Sequence, residues 1–113
     1  MTILIYPKCS TCNRVLKVLD EKKHFYIIRD IVKNNPTTSE IKSWINKYNI
    51  DINILFNTRG TIYKDQQLSQ KMSSLSFDEK VDLLASNGML VKRPILLGDD
   101  FILIGAQEIE KWA

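Results

Sequence analysis

Glycine and proline are scarce in this chain, at four and three of 113 residues. That scarcity excludes collagen-like, linker and low-complexity chains. Long apolar runs are missing too. Nothing approaches the ~18–20 residues that would span a bilayer. The longest N-terminal stretch, Ile3-Leu4-Ile5-Tyr6, is too short for a signal-peptide core, and no basic segment precedes it. The expectation is a chain that stays in the cytoplasm, away from membranes. Dense charge is also lacking. Sixteen basic against thirteen acidic residues give +3, and Lys22-Lys23 is the densest basic pair. Nucleic-acid binders concentrate their charge on a stripe or arm, so no direct nucleic-acid contact is expected. Metal ligands are few as well. A zinc site takes about four, and the chain has two cysteines and one histidine, His24, which lies a helix length from the cysteines. No metal centre is expected, unless carboxylates or a second chain complete one.

What is present suits one domain with its own core: 44% apolar, 9% aromatic and 26% charged residues. A chain of this size buries roughly two-thirds of its unfolded surface, enough to fold without disulfides. Residues 2–6 are continuously β-rich, as in a strand buried on both faces. Pro7 ends the run. Residues 10–23 then place Cys12, Val15, Leu16 and Leu19 on one helical face, with Lys17, Asp20 and Glu21 turned away. Residues 25–31 form a second β-rich run, which completes a βαβ unit.

Beyond it, Thr37 with Glu40 and Ser76 with Glu79 both fit the capping box that opens a helix. Ile41, Trp44, Ile45 and Tyr48 make one apolar stripe, and Val81, Leu84 and Ala85 another; both read as core rather than ligand boxes. Residues 49–63 look irregular, with a loop at Asn57-Thr58-Arg59-Gly60, and 64–72 suggest a short helix. Asn87-Gly88 reads as a helix stop. Proline does not fit inside a central strand, so the next strand begins at or after Pro94. Gly98-Asp99-Asp100 is a hairpin turn into Phe101-Ile102-Leu103-Ile104, and residues 106–112 form a closing helix.

Both cysteines lie in one tetrapeptide, Cys9-Ser10-Thr11-Cys12. A structural bridge gains stability by closing a long loop, and this pair closes almost none. In a reducing compartment such spacing points to redox or metal chemistry. The thiolate is the reactive form. Cys9 stands where strand gives way to helix, and free amides there favour an anion. Lys8 adds positive charge, and Ser10 and Thr11 can donate hydroxyl bonds. Three residues on is nearly one helical turn, so Cys12 lies within reach. It starts the apolar stripe and should be the less exposed sulfur. An accessible attacking thiolate with a covered resolving thiol is what an exchange cycle needs. An incidental packed pair remains the bland alternative. Phosphatase-type Cys-x5-Arg chemistry does not fit, since Cys9 to Arg14 is Cys-x4-Arg, although the helix start could still bind an oxyanion through its amides.

Tyr6-Pro7-Lys8-Cys9-Ser10-Thr11-Cys12, Arg93-Pro94-Ile95 and the long helical stretch between them resemble the arsenate reductase (ArsC)/Spx family over essentially the whole chain. Phe56-Asn57-Thr58-Arg59-Gly60 and Leu83-Leu84-Ala85-Ser86-Asn87-Gly88-Met89-Leu90 are most similar to its YusI-like branch. The resemblance implies an α/β, thioredoxin-like (glutaredoxin-like) fold: a mixed four-stranded sheet with a helical subdomain inserted at about 32–92. It implies a cis Pro94 beside the active cysteine. It implies a cytosolic thiol–disulfide oxidoreductase with Cys9 as nucleophile, Cys12 as resolving thiol, and Arg93 holding an oxyanion or the thiolate. Pro94, Ser10, Thr11 and Arg59 would line the substrate. The family's second arginine falls at Asn57 or Arg59, and Gly105 stands where a third would follow the fourth strand. No bound cofactor is implied. Electrons would come from thioredoxin, glutaredoxin or a low-molecular-weight thiol. The alternative is an Spx-like redox-sensing regulator that binds the RNA polymerase α-subunit. Asp51 stands where that contact depends on a glycine.

Overall fold

The computed structural model describes all 113 residues. In chain order the elements are β1 (Thr2–Ile5), α1 (Ser10–Glu21), β2 (Ile27–Asp30), α2 (Thr38–Tyr48), a 3-10 turn at Ile52–Leu55, α3 (Thr61–Asp65), α4 (Leu68–Lys71), a 3-10 turn at Met72–Ser74, α5 (Phe77–Ser86), a 3-10 turn at Gly88–Leu90, β3 (Ile95–Leu97), β4 (Ile102–Ile104) and α6 (Ala106–Trp112). They gather into two compact units, Met1–Ile31 with Arg93–Ala113, and Val32–Lys92.

The first unit is a mixed four-stranded sheet in the order β2-β1-β3-β4, which is the α/β thioredoxin-like arrangement. β1 pairs parallel with β2 and antiparallel with β3, and β3 pairs antiparallel with β4. Parallel neighbours need a crossover, and α1 supplies it. The apolar run of β1 is buried at Ile3, Leu4 and Ile5 alike, as a central strand requires. Ile3, Ile5 and Leu96 share a core with Cys12, Val15 and Leu19 of α1 and Ile109 of α6. At the rim of that core Arg14 Nη2 meets Glu110 Oε1 at 2.8 Å. An exposed pair of this kind contributes at most about 1 kcal/mol, so the buried stripe holds the two helices. His24 stacks on Trp112, ring centroids 4.6 Å apart. The β3–β4 hairpin closes through the Gly98 N–H to Phe101 O at 2.9 Å. A Cβ added at Gly98 would meet the Phe101 ring, which would have to shift to admit it.

The second unit is helical. Both capping boxes form in full: Thr37 Oγ1 accepts from Glu40 N at 3.1 Å, Ser76 Oγ from Glu79 N at 3.1 Å, and each glutamate reaches back to its cap N–H. Ile41 and Trp44 of α2 are buried, as are Val81 and Leu84 of α5, and these two helices pack together. Asn35 Nδ2 donates to Leu84 O at 3.2 Å and Ala85 O at 3.0 Å, which occupies carbonyls that the end of α5 leaves open. Two details differ from the sequence reading. Residues 49–63 are not irregular throughout: Asp51 Oδ1 accepts from Asn53 N at 2.9 Å and starts the Ile52–Leu55 turn, and α3 begins at Thr61. Segments of four or five residues are too short to show a helical period. At Asn87-Gly88 the helix does stop, but without a left-handed glycine cap. Asn87 is extended (φ −157°), and its side chain accepts from Met89 N at 2.9 Å to open the next turn.

Leu19 is fully buried and Thr37 caps an exposed helix start. Leu19→Ala is expected to cost ~2–5 kcal/mol and Thr37→Ala ~1 kcal/mol in urea unfolding. A Leu19→Ala loss under ~1 kcal/mol would mean that the stripe is not core.

Candidate active site

β1 ends at Ile5, and the turn Tyr6-Pro7-Lys8 delivers Cys9 to the start of α1 as its N-cap. The Cys9 N–H donates to Tyr6 O at 2.9 Å, and Cys9 O accepts from Asn13 N at 3.1 Å, the first helical bond. Asn13 Nδ2 braces the turn on Pro7 O at 3.2 Å. A neutral thiol is a weak acceptor, and Cys9 closes no conventional side-chain cap bond. Its thiolate accepts better. Partial burial pushes the Cys9 thiol up, but the backbone N–H and thiol of Cys12, together with the charge and hydrogen bond of Arg93, outweigh it and hold Cys9 below the ordinary thiol range.

Cys12 is the opposite case. It is fully buried in the core of the first unit. Burial pushes its thiol up to about 12, and the neighbouring Cys9 sulfur adds to the rise, against a smaller pull from the Tyr6 backbone and Arg93. One sulfur is therefore the more acidic of the pair and partly open. The other is protonated, covered and in hydrogen-bonding contact with it.

Sheet register explains how Arg93 arrives. Leu4 pairs with Ile95 in the antiparallel β1–β3 ladder, and continuing that register by two residues sets Tyr6 opposite Arg93. The guanidinium lies over the Tyr6 ring, 5.4 Å from its centroid. Stacking on an aromatic face orients a guanidinium without consuming its donors. The Arg93–Pro94 peptide is cis, Pro94 is buried, and Pro94 O accepts from Gly105 N at 2.8 Å.

Cys9, Cys12 and Arg93 are thus brought together, with Pro94 next in the chain. Ser10 and Thr11 open α1, the former exposed and the latter half-buried. Lys8 is exposed, and Arg93 rather than Lys8 is the cation acting on Cys9. Arg59 belongs to the second unit, where it is exposed in the loop before α3. In the same loop Asn57 is half-buried, its N–H bonded to Leu90 O at 2.7 Å. Gly105 has φ 95°, so an arginine in this backbone conformation would be strained. The sequence reading passed over Tyr6 and Asn13 as working residues, although Tyr6 stands in the quoted motif. No group of three or more His, Cys, Asp or Glu side chains comes together to hold a metal ion.

A dithiol at a strand–helix junction, beside a cis proline that leads into the third strand, defines a thioredoxin-like Cys-x-x-Cys domain. The chain belongs to the ArsC family, which matches residues 4–111. It is 35% identical over 116 residues to the uncharacterized protein YusI of Bacillus subtilis (strain 168), covering 100% of this chain and 98% of YusI. It is 28% identical over 110 residues to the global transcriptional regulator Spx 2 of Bacillus cereus, covering 96% of this chain and 82% of that protein. A crystal structure of an ArsC family related protein from Bacteroides fragilis superposes with a TM-score of 0.90 at 41% identity, covering 99% of this chain and 96% of that one.

Alkylation of Cys9 followed against pH is expected to inflect below the ordinary thiol range. Arg93→Ala should move the inflection up, and Lys8→Ala should leave it in place. The Cys12 shift makes a second expectation. Its folded-state pKa is raised, so its contribution to stability is intact below the unfolded thiol pKa and is lost as pH rises toward 12. Under reducing conditions the wild type should therefore lose stability relative to Cys12→Ala across that alkaline window. Parallel denaturant midpoints for the two proteins would contradict it.

Proposed function

We propose that the chain is a thiol–disulfide oxidoreductase of the arsenate reductase type, with Cys9 as nucleophile and Cys12 as resolving thiol. The observation that carries this reading is the opposed acidity of two sulfurs in contact, one held low by Arg93 and the Cys12 amide, the other pushed up by burial. An attacking thiol must be ionised at working pH, and a resolving thiol must wait until the first has reacted.

In the disulfide cycle the Cys9 thiolate attacks a substrate disulfide and expels one thiolate. Cys12 then loses its proton and attacks the Cys9 sulfur of the mixed disulfide. The second substrate thiol leaves, and the Cys9–Cys12 disulfide remains. With arsenate as substrate, the same two thiols supply two electrons, giving arsenite, water and the internal disulfide. Arg93, Ser10, Thr11 and the amides that open α1 would bind the oxyanion, and Pro94 completes the proposed substrate contacts of this unit. A thioredoxin, a glutaredoxin or a small thiol of the cytoplasm would restore the dithiol, with no bound cofactor.

A second reading is supported by the similarity to Spx 2, a global transcriptional regulator. In it the same dithiol senses oxidation and the chain binds the RNA polymerase α-subunit. Asp51 counts against it. Its carboxylate caps the Ile52–Leu55 turn, at the position where the resemblance calls for a glycine.

NADPH oxidation coupled through thioredoxin or glutaredoxin, with arsenate or a low-molecular-weight disulfide as substrate, tests the enzyme reading. Wild type should turn over. Cys9→Ser should be inactive, and Cys12→Ser should stop after one attack with a mixed disulfide on Cys9. Wild type idle on both substrates with both donors would defeat the proposal. Retention on the polymerase α-subunit in one redox state only would favour the regulator.

A further inference from the structure

Tyr6 is in contact with Cys9, Cys12 and Arg93 alike. Its carbonyl accepts from the Cys9 N–H at 2.9 Å, its backbone hydrogen-bonds Cys12, and its ring lies against the Arg93 guanidinium, 5.4 Å from the centroid. The first two contacts belong to the main chain and survive a change of side chain at position 6. The third belongs to the ring alone.

That third contact bears on a cation whose placement matters. Arg93 is half-buried and precedes β3. An arginine side chain is long and loses much rotamer freedom when it is held in one place. A guanidinium within about 6 Å of a ring face is attracted to it, more strongly where water is excluded. It carries its donors in its own plane, so a ring against one face leaves the edge for another partner. Here that partner is the Cys9 sulfur, which Arg93 hydrogen-bonds and attracts by charge. The other titratable group acting on Cys9 is Cys12 of α1, and the adjacent Lys8 is turned to solvent.

We propose that Tyr6 is a positioning residue of this site: its ring holds the Arg93 guanidinium at the Cys9 sulfur, so the side chain at position 6 sets how readily Cys9 attacks and leaves Cys12 as it is. The role rests on Cys9 being the attacking sulfur. It differs from packing in what it requires. Packing needs an apolar side chain of suitable bulk, which leucine or methionine supplies. Positioning needs an aromatic face, which phenylalanine keeps and leucine and methionine lack. Because the ring acts through Arg93, its effect has to vanish with the guanidinium.

Alkylation of Cys9 against pH tests this in wild type, Tyr6→Phe, Tyr6→Leu, Tyr6→Met, Arg93→Ala and Tyr6→Leu/Arg93→Ala. Circular dichroism and urea unfolding check each fold, and Tyr6→Met carries the test if Tyr6→Leu folds poorly. Tyr6→Leu and Tyr6→Met should move the Cys9 inflection up by about half a pH unit or more. Tyr6→Phe should stay with the wild type. In the Arg93→Ala background Tyr6→Leu should add nothing, which is the coupling a double-mutant cycle reads. Cys12 should remain the later sulfur to be modified in every variant that keeps Arg93. A wild-type Cys9 inflection in the ordinary thiol range would defeat the reading of Cys9 as attacking sulfur, and the role of Tyr6 with it. With a low wild-type inflection, three results would overturn the role of Tyr6 alone. They are an inflection unmoved in Tyr6→Leu and Tyr6→Met, one raised as far in Tyr6→Phe as in Tyr6→Leu, and one raised equally by Tyr6→Leu with and without Arg93.

Discussion

The contact between the Cys9 and Cys12 sulfurs governs the rest of this structure. Two thiols with the same intrinsic chemistry are driven apart in acidity because one sits at the mouth of a helix and the other in the core behind it. Cys12 is buried with Ile3, Ile5, Val15, Leu19, Leu96 and Ile109, where a charged sulfur would be desolvated. Keeping Cys12 protonated leaves its hydrogen available to the Cys9 sulfur, which favours the charge there. The asymmetry is thus one interaction seen from both ends. It requires α1 to begin at Ser10 and to lay its apolar stripe on the sheet.

Arg93 extends the same logic across the sheet. Its position follows from the antiparallel pairing of β1 with β3, which sets Tyr6 and Arg93 opposite each other just beyond the last paired residues. The Tyr6 ring holds the guanidinium plane, and the cis peptide to Pro94 turns the chain into β3. A cation fixed by sheet register is better placed to act on the sulfur than the exposed Lys8, although Lys8 is its neighbour in sequence. Gly105, in a backbone conformation suited to glycine, joins this region by donating to Pro94 O.

Much of this was legible in the sequence. The continuous run at Ile3-Leu4-Ile5, the stripe from Cys12 to Leu19 and the halt at Pro94 mark a buried strand, its crossover helix and the start of the third strand. Each of those signals depends only on neighbours along the chain. The capping boxes at Thr37 and Ser76 are equally local. What escaped was short or distant. The Ile52–Leu55 turn and α3 are too brief to carry a period. The pairing of Tyr6 with Arg93 needs the sheet register, which no local pattern states; only the family resemblance pointed to Arg93.

Peptide mapping by mass spectrometry on protein oxidised in its native state bears most directly on the central claim. The account predicts a single bond linking residues 9 and 12 of one chain, with a reduced sample modified at residue 9 well before residue 12. Recovery of both sulfurs free after oxidation, a bridge only between separate chains, or modification of the two at equal rates would contradict it.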